Sequence, residues 1–166
     1  QVVTELKSFK KYNVTVVVNS NIELNSITGI DQVYKIDLPN YELLPLTCRQ
    51  VIWNHRKDYD IFLFGENDHL FKEHHIDNHI EYTNILPKDK IAGLIQYEED
   101  KDGKYFPAYH AHYDWDYNSV QEYGGKKFAH FSNLHQATFI LTQEQLEEVG
   151  SKFNFITFYP EQSGYS

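Results

Sequence analysis

Apolar side chains along this chain fall into short continuous runs and helical stripes, and the two kinds of segment alternate. The densest run, Ile61-Phe62-Leu63-Phe64, follows Tyr59-Asp60 and leads through Gly65 into the polar group Glu66-Asn67-Asp68-His69. Such a run predicts a strand over about residues 60–66, covered on both faces as in the centre of a parallel sheet. Ahead of it, Val2, Val3, Leu6 and Phe9 share one helical face, predicting a helix over 2–11 that Lys10 and Lys11 close. The β-branched residues of 13–18 predict a strand, and a second short strand over 32–36 stops at Pro39. Leu43, Leu44, Thr47 and Val51 stripe a helix over 43–56, with Arg49, Arg56 and Lys57 in its second half.

Beyond the central run, Leu70, Phe71, His74, Ile76 and Ile80 predict a helix over 69–82, and Pro87 ends that segment. Residues 90–96 read as a strand, and Asp102-Gly103 as the turn of a charged hairpin tip. Residues 105–116 read as extended and aromatic, and Gly124-Gly125 as a break. Short strands follow over 128–131 and 137–141. Thr142 and Gln145 have capping-box spacing at the start of a helix to Val149. A last strand is expected over 153–159. The resulting order predicts an α/β fold, with a mixed, mostly parallel central sheet flanked by helices and a Rossmann-like first half. The chain opens inside an apparent helix, so truncation at the termini belongs to the expectation.

Composition narrows the partners. A length of 166 residues suits one domain with a sizeable core. The net charge of −9, without a cluster of Lys or Arg, excludes a basic footprint for nucleic-acid phosphates. A bound polyphosphate would need a bridging cation. Cys48 is the single cysteine, so no disulfide forms within the chain. No apolar run approaches the ~18 residues of a membrane span, and no signal peptide is present. The lone cysteine leans towards a cytoplasmic chain, and a lumenal domain cut from an anchored protein would read the same. The lack of any methionine, an initiator included, suggests a processed chain or a fragment. The sequon Asn13-Val14-Thr15 starts a predicted buried strand and is discounted.

The chemistry concentrates after the central run. Glu66 and Asp68 stand one residue apart at the carboxyl end of a buried strand, where open α/β folds bind ligands. Two such carboxylates suit a hard cation such as Mg²⁺ or Mn²⁺. The plain alternative is an acidic turn that closes the strand and caps the next helix.

These residues carry a resemblance. Leu46-Thr47 with Arg49, then Tyr59-Asp60-Ile61-Phe62-Leu63-Phe64-Gly65-Glu66-Asn67-Asp68, resembles nucleotide-sugar glycosyltransferases of the GT-A fold, whose DxD-type acidic motif closes a central apolar strand. Ala92-Gly93-Leu94-Ile95-Gln96-Tyr97-Glu98 is similar to a later segment of that family, and Asn133-Leu134-His135-Gln136-Ala137 with Phe139-Ile140-Leu141-Thr142 to its acceptor-side strand and helix. The likeness spans roughly residues 40–150. It implies a single GT-A-like domain over 1–166, with about 1–100 as the nucleotide-binding half and 101–166 as the acceptor-side half. It further implies a Mn²⁺- or Mg²⁺-dependent transferase that uses a nucleotide-diphosphate sugar as donor and a glycan, lipid or protein as acceptor. Asp68 would be the direct metal ligand, Glu66 and Asn67 would belong to the same cofactor-binding motif, and His135 would complete the metal shell. Asp114, Asp116 and Glu98 are the candidate bases for the acceptor hydroxyl, with Asp114 preferred. Asn67 replaces the middle acid of the family motif and Gln96 an expected basic residue. These departures keep a noncatalytic, GT-A-like carbohydrate-binding module open.

A rival chemistry rests on the nine histidines. His110-Ala111-His112-Tyr113-Asp114 resembles the metal-binding run of metallo-β-lactamase-type hydrolases, and on a strand His110, His112 and Asp114 share one face. Asp116 stands where that family has a further histidine. The other reading of this segment is an aromatic acceptor groove, with Tyr109, Tyr113 and Trp115 stacking on sugars. His75 and His79 share a helical face but lack the Glu of a zinc-protease motif.

Overall fold

A computed structural model describes residues 1–24, 26–103, 115–131 and 138–156, and the main chain of 105–107. The chain begins with helix α1 (Val2–Lys7), followed by strands β1 (Val17–Ser20) and β2 (Gln32–Lys35). A 3-10 turn at Tyr41–Leu43 leads into helix α2 (Leu44–Asn54), then strand β3 (Ile61–Phe64) and helix α3 (Glu73–Ile85). Strands β4 (Tyr97–Glu99), β5 (Tyr105–Pro107), β6 (Trp115–Tyr123), β7 (Lys126–Phe131) and β8 (Phe139–Thr142) precede helix α4 (Gln143–Lys152).

The strands do not assemble into the expected central sheet, and this corrects the predicted fold class. Among the described residues they form four two-stranded sheets. β1 and β2 are parallel, whereas β3–β8, β4–β5 and β6–β7 are antiparallel. The physical reason lies in β3. Its apolar run demands cover on both faces, and a ribbon sandwiched between helices meets that demand as well as a wide parallel sheet does.

Alternation along the ribbon sends Phe62 and Leu141 to one side, where they pack with Leu146 of α4 and with Ile52 and Trp53 of α2. Ile61, Leu63 and Ile140 go to the other side, against Ile76 and Ile80 of α3, Leu6 of α1 and Phe71. Among the described residues Ile140 and Leu146 are the most completely buried side chains, at 2% and 0% exposure. Phe64 stacks on Phe139 across the ribbon, with ring centroids 5.3 Å apart.

Helix α1 stops at Lys7 rather than near Lys11, and the chain after it is tied to α3. Glu73 accepts the backbone N–H groups of Lys10 and Lys11 at 2.6 and 2.7 Å. Asp77 accepts Lys11 Nζ at 2.5 Å and the Tyr12 hydroxyl at 2.7 Å. Residues 91–96 form no ladder, yet their burial alternates: Ala92, Leu94 and Gln96 are half-buried, while Ile91, Gly93 and Ile95 are exposed. Gly124 and Gly125 make a tight hairpin turn between β6 and β7, with φ of 55° and 76°. That turn lies on the end of α3, and Lys126 of β7 pairs with Glu81 at 2.6 Å. Phe153–Ile156 is not a strand, and the rest of the predicted 153–159 strand lies outside the described residues.

Candidate functional site

The Glu66–His69 turn leaves β3 at the end opposite the β8–α4 junction, because Ile61 pairs with Thr142 and Phe64 with Phe139. Gly65 makes the exit feasible. A Cβ there would stand 2.6 Å from Cε2 of the buried Phe71. The chain therefore passes directly over that ring before Phe71 enters the core. The turn closes on itself: the His69 N–H donates to the Glu66 carbonyl at 3.1 Å. The Glu66 N–H donates to His69 Nδ1 at 3.4 Å. In this arrangement Nδ1 is the acceptor, so the ring proton sits on Nε2, which lies 3.7 Å from Asp68 Oδ1.

Glu66, Asn67 and Asp68 are all exposed, and the Asp68 side chain reaches 77% exposure. The two acids do not cap the next helix, which is the plain reading of an acidic turn. Helix α3 starts at Glu73, with Lys72 as its N-cap and the Lys72 N–H donating to His75 Nδ1 at 3.2 Å. His69, expected as the first residue of that helix, instead closes the carboxylate turn.

The other candidates are carried on separate elements. Glu98 lies on the exposed strand β4 opposite Phe106, and Asp116 on β6 opposite His130. Among the described residues neither hairpin pairs with β3. The Asp116 carboxylate accepts the Asn118 N–H at 3.0 Å, and its carbonyl accepts the Ser119 hydroxyl at 2.6 Å. These bonds sit where the β6–β7 register shifts, so Asp116 shapes a bulge. Trp115 packs on Phe131, ring centroids 4.9 Å apart. Asp114, His110, His112, His135, Tyr109 and Tyr113 lie outside the described residues.

Among the described residues no group of three or more His, Cys, Asp or Glu side chains is gathered to hold a metal ion. Glu66 and Asp68 still fit the minimum for Mg²⁺ or Mn²⁺, which takes one or two carboxylates and completes its shell with water and phosphate. The histidines of α3 have structural partners: His79 is buried at 3% exposure and bonded to Gln145. The His75 ring meets that of His74 edge-on at 4.3 Å. Cys48 is half-buried, and burial pushes its thiol pKa up to about 11. This is the opposite of an activated nucleophile.

Two residues of consequence escaped the sequence reading. Gln145 was visible as a capping residue but not as a buried one. The position of His69 directly after the acids was the available signal for its part in the turn.

No family model matches this chain, and no curated protein or solved structure matches it either. No helix among the described residues is long and apolar enough to cross a membrane.

Proposed function

We propose that this chain is a metal-dependent glycosyltransferase domain that engages a nucleotide-diphosphate sugar at Glu66–Asp68. One observation supports the reading most: two exposed carboxylates on a closed turn, projected from a strand anchored on both faces. Rigid support beneath and solvent access above suit a site that must hold a cation together with a mobile substrate. The bound Mn²⁺ or Mg²⁺ supplies positive charge to the departing diphosphate.

Asp68, whose side chain is 77% exposed, would provide the direct oxygen ligand, and Glu66 would serve a ribose hydroxyl or a metal-bound water. The acceptor hydroxyl loses its proton to a carboxylate if the reaction inverts configuration. Asp114 is the first assignment for that base, ahead of Asp116, whose carboxylate is already engaged by Asn118.

Thermal unfolding with UDP, GDP, CDP and their sugar conjugates, with and without Mn²⁺, tests the proposal. A ligand at 100 times its Kd adds ~2.7 kcal/mol, a rise of a few degrees. A Mn²⁺-dependent rise with one nucleotide, absent in Asp68→Ala, is expected. Sugar binding without any nucleotide response would replace the reading by the noncatalytic module.

A further inference from the structure

His79 of α3 is buried, and its Nε2 lies 3.0 Å from Gln145 Oε1 of α4. The orientation of that amide is fixed by two other bonds. Gln145 Oε1 also accepts the Thr142 N–H at 3.0 Å, and Gln145 Nε2 donates to the Thr83 hydroxyl at 3.3 Å. An oxygen facing the ring requires the proton on Nε2. Nδ1 is then a bare lone pair, buried and without a hydrogen-bond partner among the described residues. The neutral ring fits this place and the cation does not, because a second N–H would point at no acceptor among the described residues.

We propose that His79 and Gln145 form an acid-sensitive latch, in which the neutral imidazole holds the capped start of α4 to α3 and protonation of Nδ1 releases it. The same glutamine caps α4 by exchanging bonds with Thr142, so losing the latch strains the helix start and the end of β8 together. Leu146, fully buried one residue later, and Leu141 of β8 lose their cover on release.

The groups around His79 leave the imidazolium without compensation. On its own helix the flanking turns bring His75 and Thr83; α4 brings Gln145, and β8 brings Thr142. Where Thr83 and Gln145 reach the neighbouring cleft, the bordering charges are Lys88, Lys90, Glu144 and Glu148. Lys88 and Glu144 pair with each other at 2.6 Å. Burial lowers the His79 pKa and only the Gln145 bond opposes it. A folded-state pKa below the unfolded value means a contribution fully present above ~6.5 and lost as pH falls towards the folded value.

Two measurements on the full chain decide the matter. Imidazole ¹⁵N–¹³C spectra should show His79 as the Nε2–H tautomer, still neutral at pH values where an imidazole in water (~6.5) has taken up its proton. Amide-exchange protection factors over residues 143–152 should fall at least tenfold between pH 7.5 and 5 in the wild type. They should fall much less in His79→Gln, whose amide donates to Gln145 but does not titrate. An Nδ1–H tautomer, protonation near 6.5, pH-independent protection in the wild type, or an equal fall in His79→Gln would each overturn the latch.

Discussion

The indole of Trp53 on α2 occupies the space where a side chain on Gly150 of α4 would stand, since a Cβ there would lie 2.0 Å from its Cζ3 and 2.3 Å from its Cη2. Trp53 is also held by Phe155, with ring centroids 6.5 Å apart, and carries the Arg56 guanidinium 4.6 Å above its ring. Gly150→Ala gains up to ~1 kcal/mol of helix propensity. It must also displace a large ring with two other attachments. Overpacking costs about 1–3 kcal/mol, so after the propensity gain a net loss of up to about 2 kcal/mol is expected, read as a lower midpoint in urea. A variant more stable than wild type would show that the two helices part freely.

The tie between the Lys10–Tyr12 segment and α3 predicts a pH signature. Hydrogen bonds from Lys11 and Tyr12 hold the Asp77 carboxyl below its usual value of 3.8. Its contribution is therefore present above pH ~4 and lost as the pH falls through the folded value. The difference in Tm between wild type and Asp77→Asn should be clear at pH 7 and shrink below pH 4. At the alkaline end, burial and the Asp77 bond push the Tyr12 phenol up to about 12. One tyrosine should thus ionise late in an ultraviolet titration of the wild type and earlier in Asp77→Asn.

The acidic turn predicts an asymmetry between two substitutions at His69. An Asn side chain places an acceptor near the position of Nδ1, where it can receive the Glu66 N–H. A Gln side chain reaches towards the Nε2 position beside Asp68 but leaves that N–H unserved. On the proposed reading of the turn as a Mn²⁺ site oriented by its closure, His69→Asn keeps most of the Mn²⁺ affinity, and His69→Gln loses about tenfold, as when a ligand's supporting partner is removed. Mn²⁺ titration followed by electron paramagnetic resonance measures both. Equal affinities would leave His69 no part in holding the carboxylate.

Cys48 should react slowly. With its pKa raised to about 11, only about one thiol in 10⁴ is ionised at neutral pH, and partial burial slows access further. Ellman's reagent is expected to modify the native chain far more slowly than the urea-unfolded chain. Similar rates would place the thiol at an open surface.

The sequence carried some of these features and hid others for physical reasons. The Thr142–Gln145 box is a local device, and the spacing announced it. The β3 run declared that both its faces would be covered, but burial carries no information about strand direction. The antiparallel partner Phe139–Thr142 was therefore not distinguishable from a parallel one. Residues 69–72 look helical by composition, yet Phe71 must turn under Gly65 and His69 must close on Glu66, so α3 begins at Glu73. The long strand β6 was hidden because Asp116, Tyr117 and Asn118 are all exposed, without the alternation that marks a half-buried strand. The Glu66–Asp68 turn was legible in advance because strand end and acids are contiguous. The pairing of Asp116 opposite His130, with the register shift that follows it, is a non-local feature that no spacing encodes.

The pairing of Ile61–Phe64 with Phe139–Thr142 has a consequence for how the chain reaches its native state. The two strands that organise both halves of the core are far apart in sequence, so the ribbon cannot close until Phe139–Thr142 has been synthesised and released. Until then Ile61-Phe62-Leu63-Phe64 is an uncharged, β-prone segment with no partner. Non-local closure of this kind is slow, and an open apolar strand edge is a template for pairing between chains. The interval between synthesis of β3 and arrival of β8 is therefore the period of greatest exposure to aggregation.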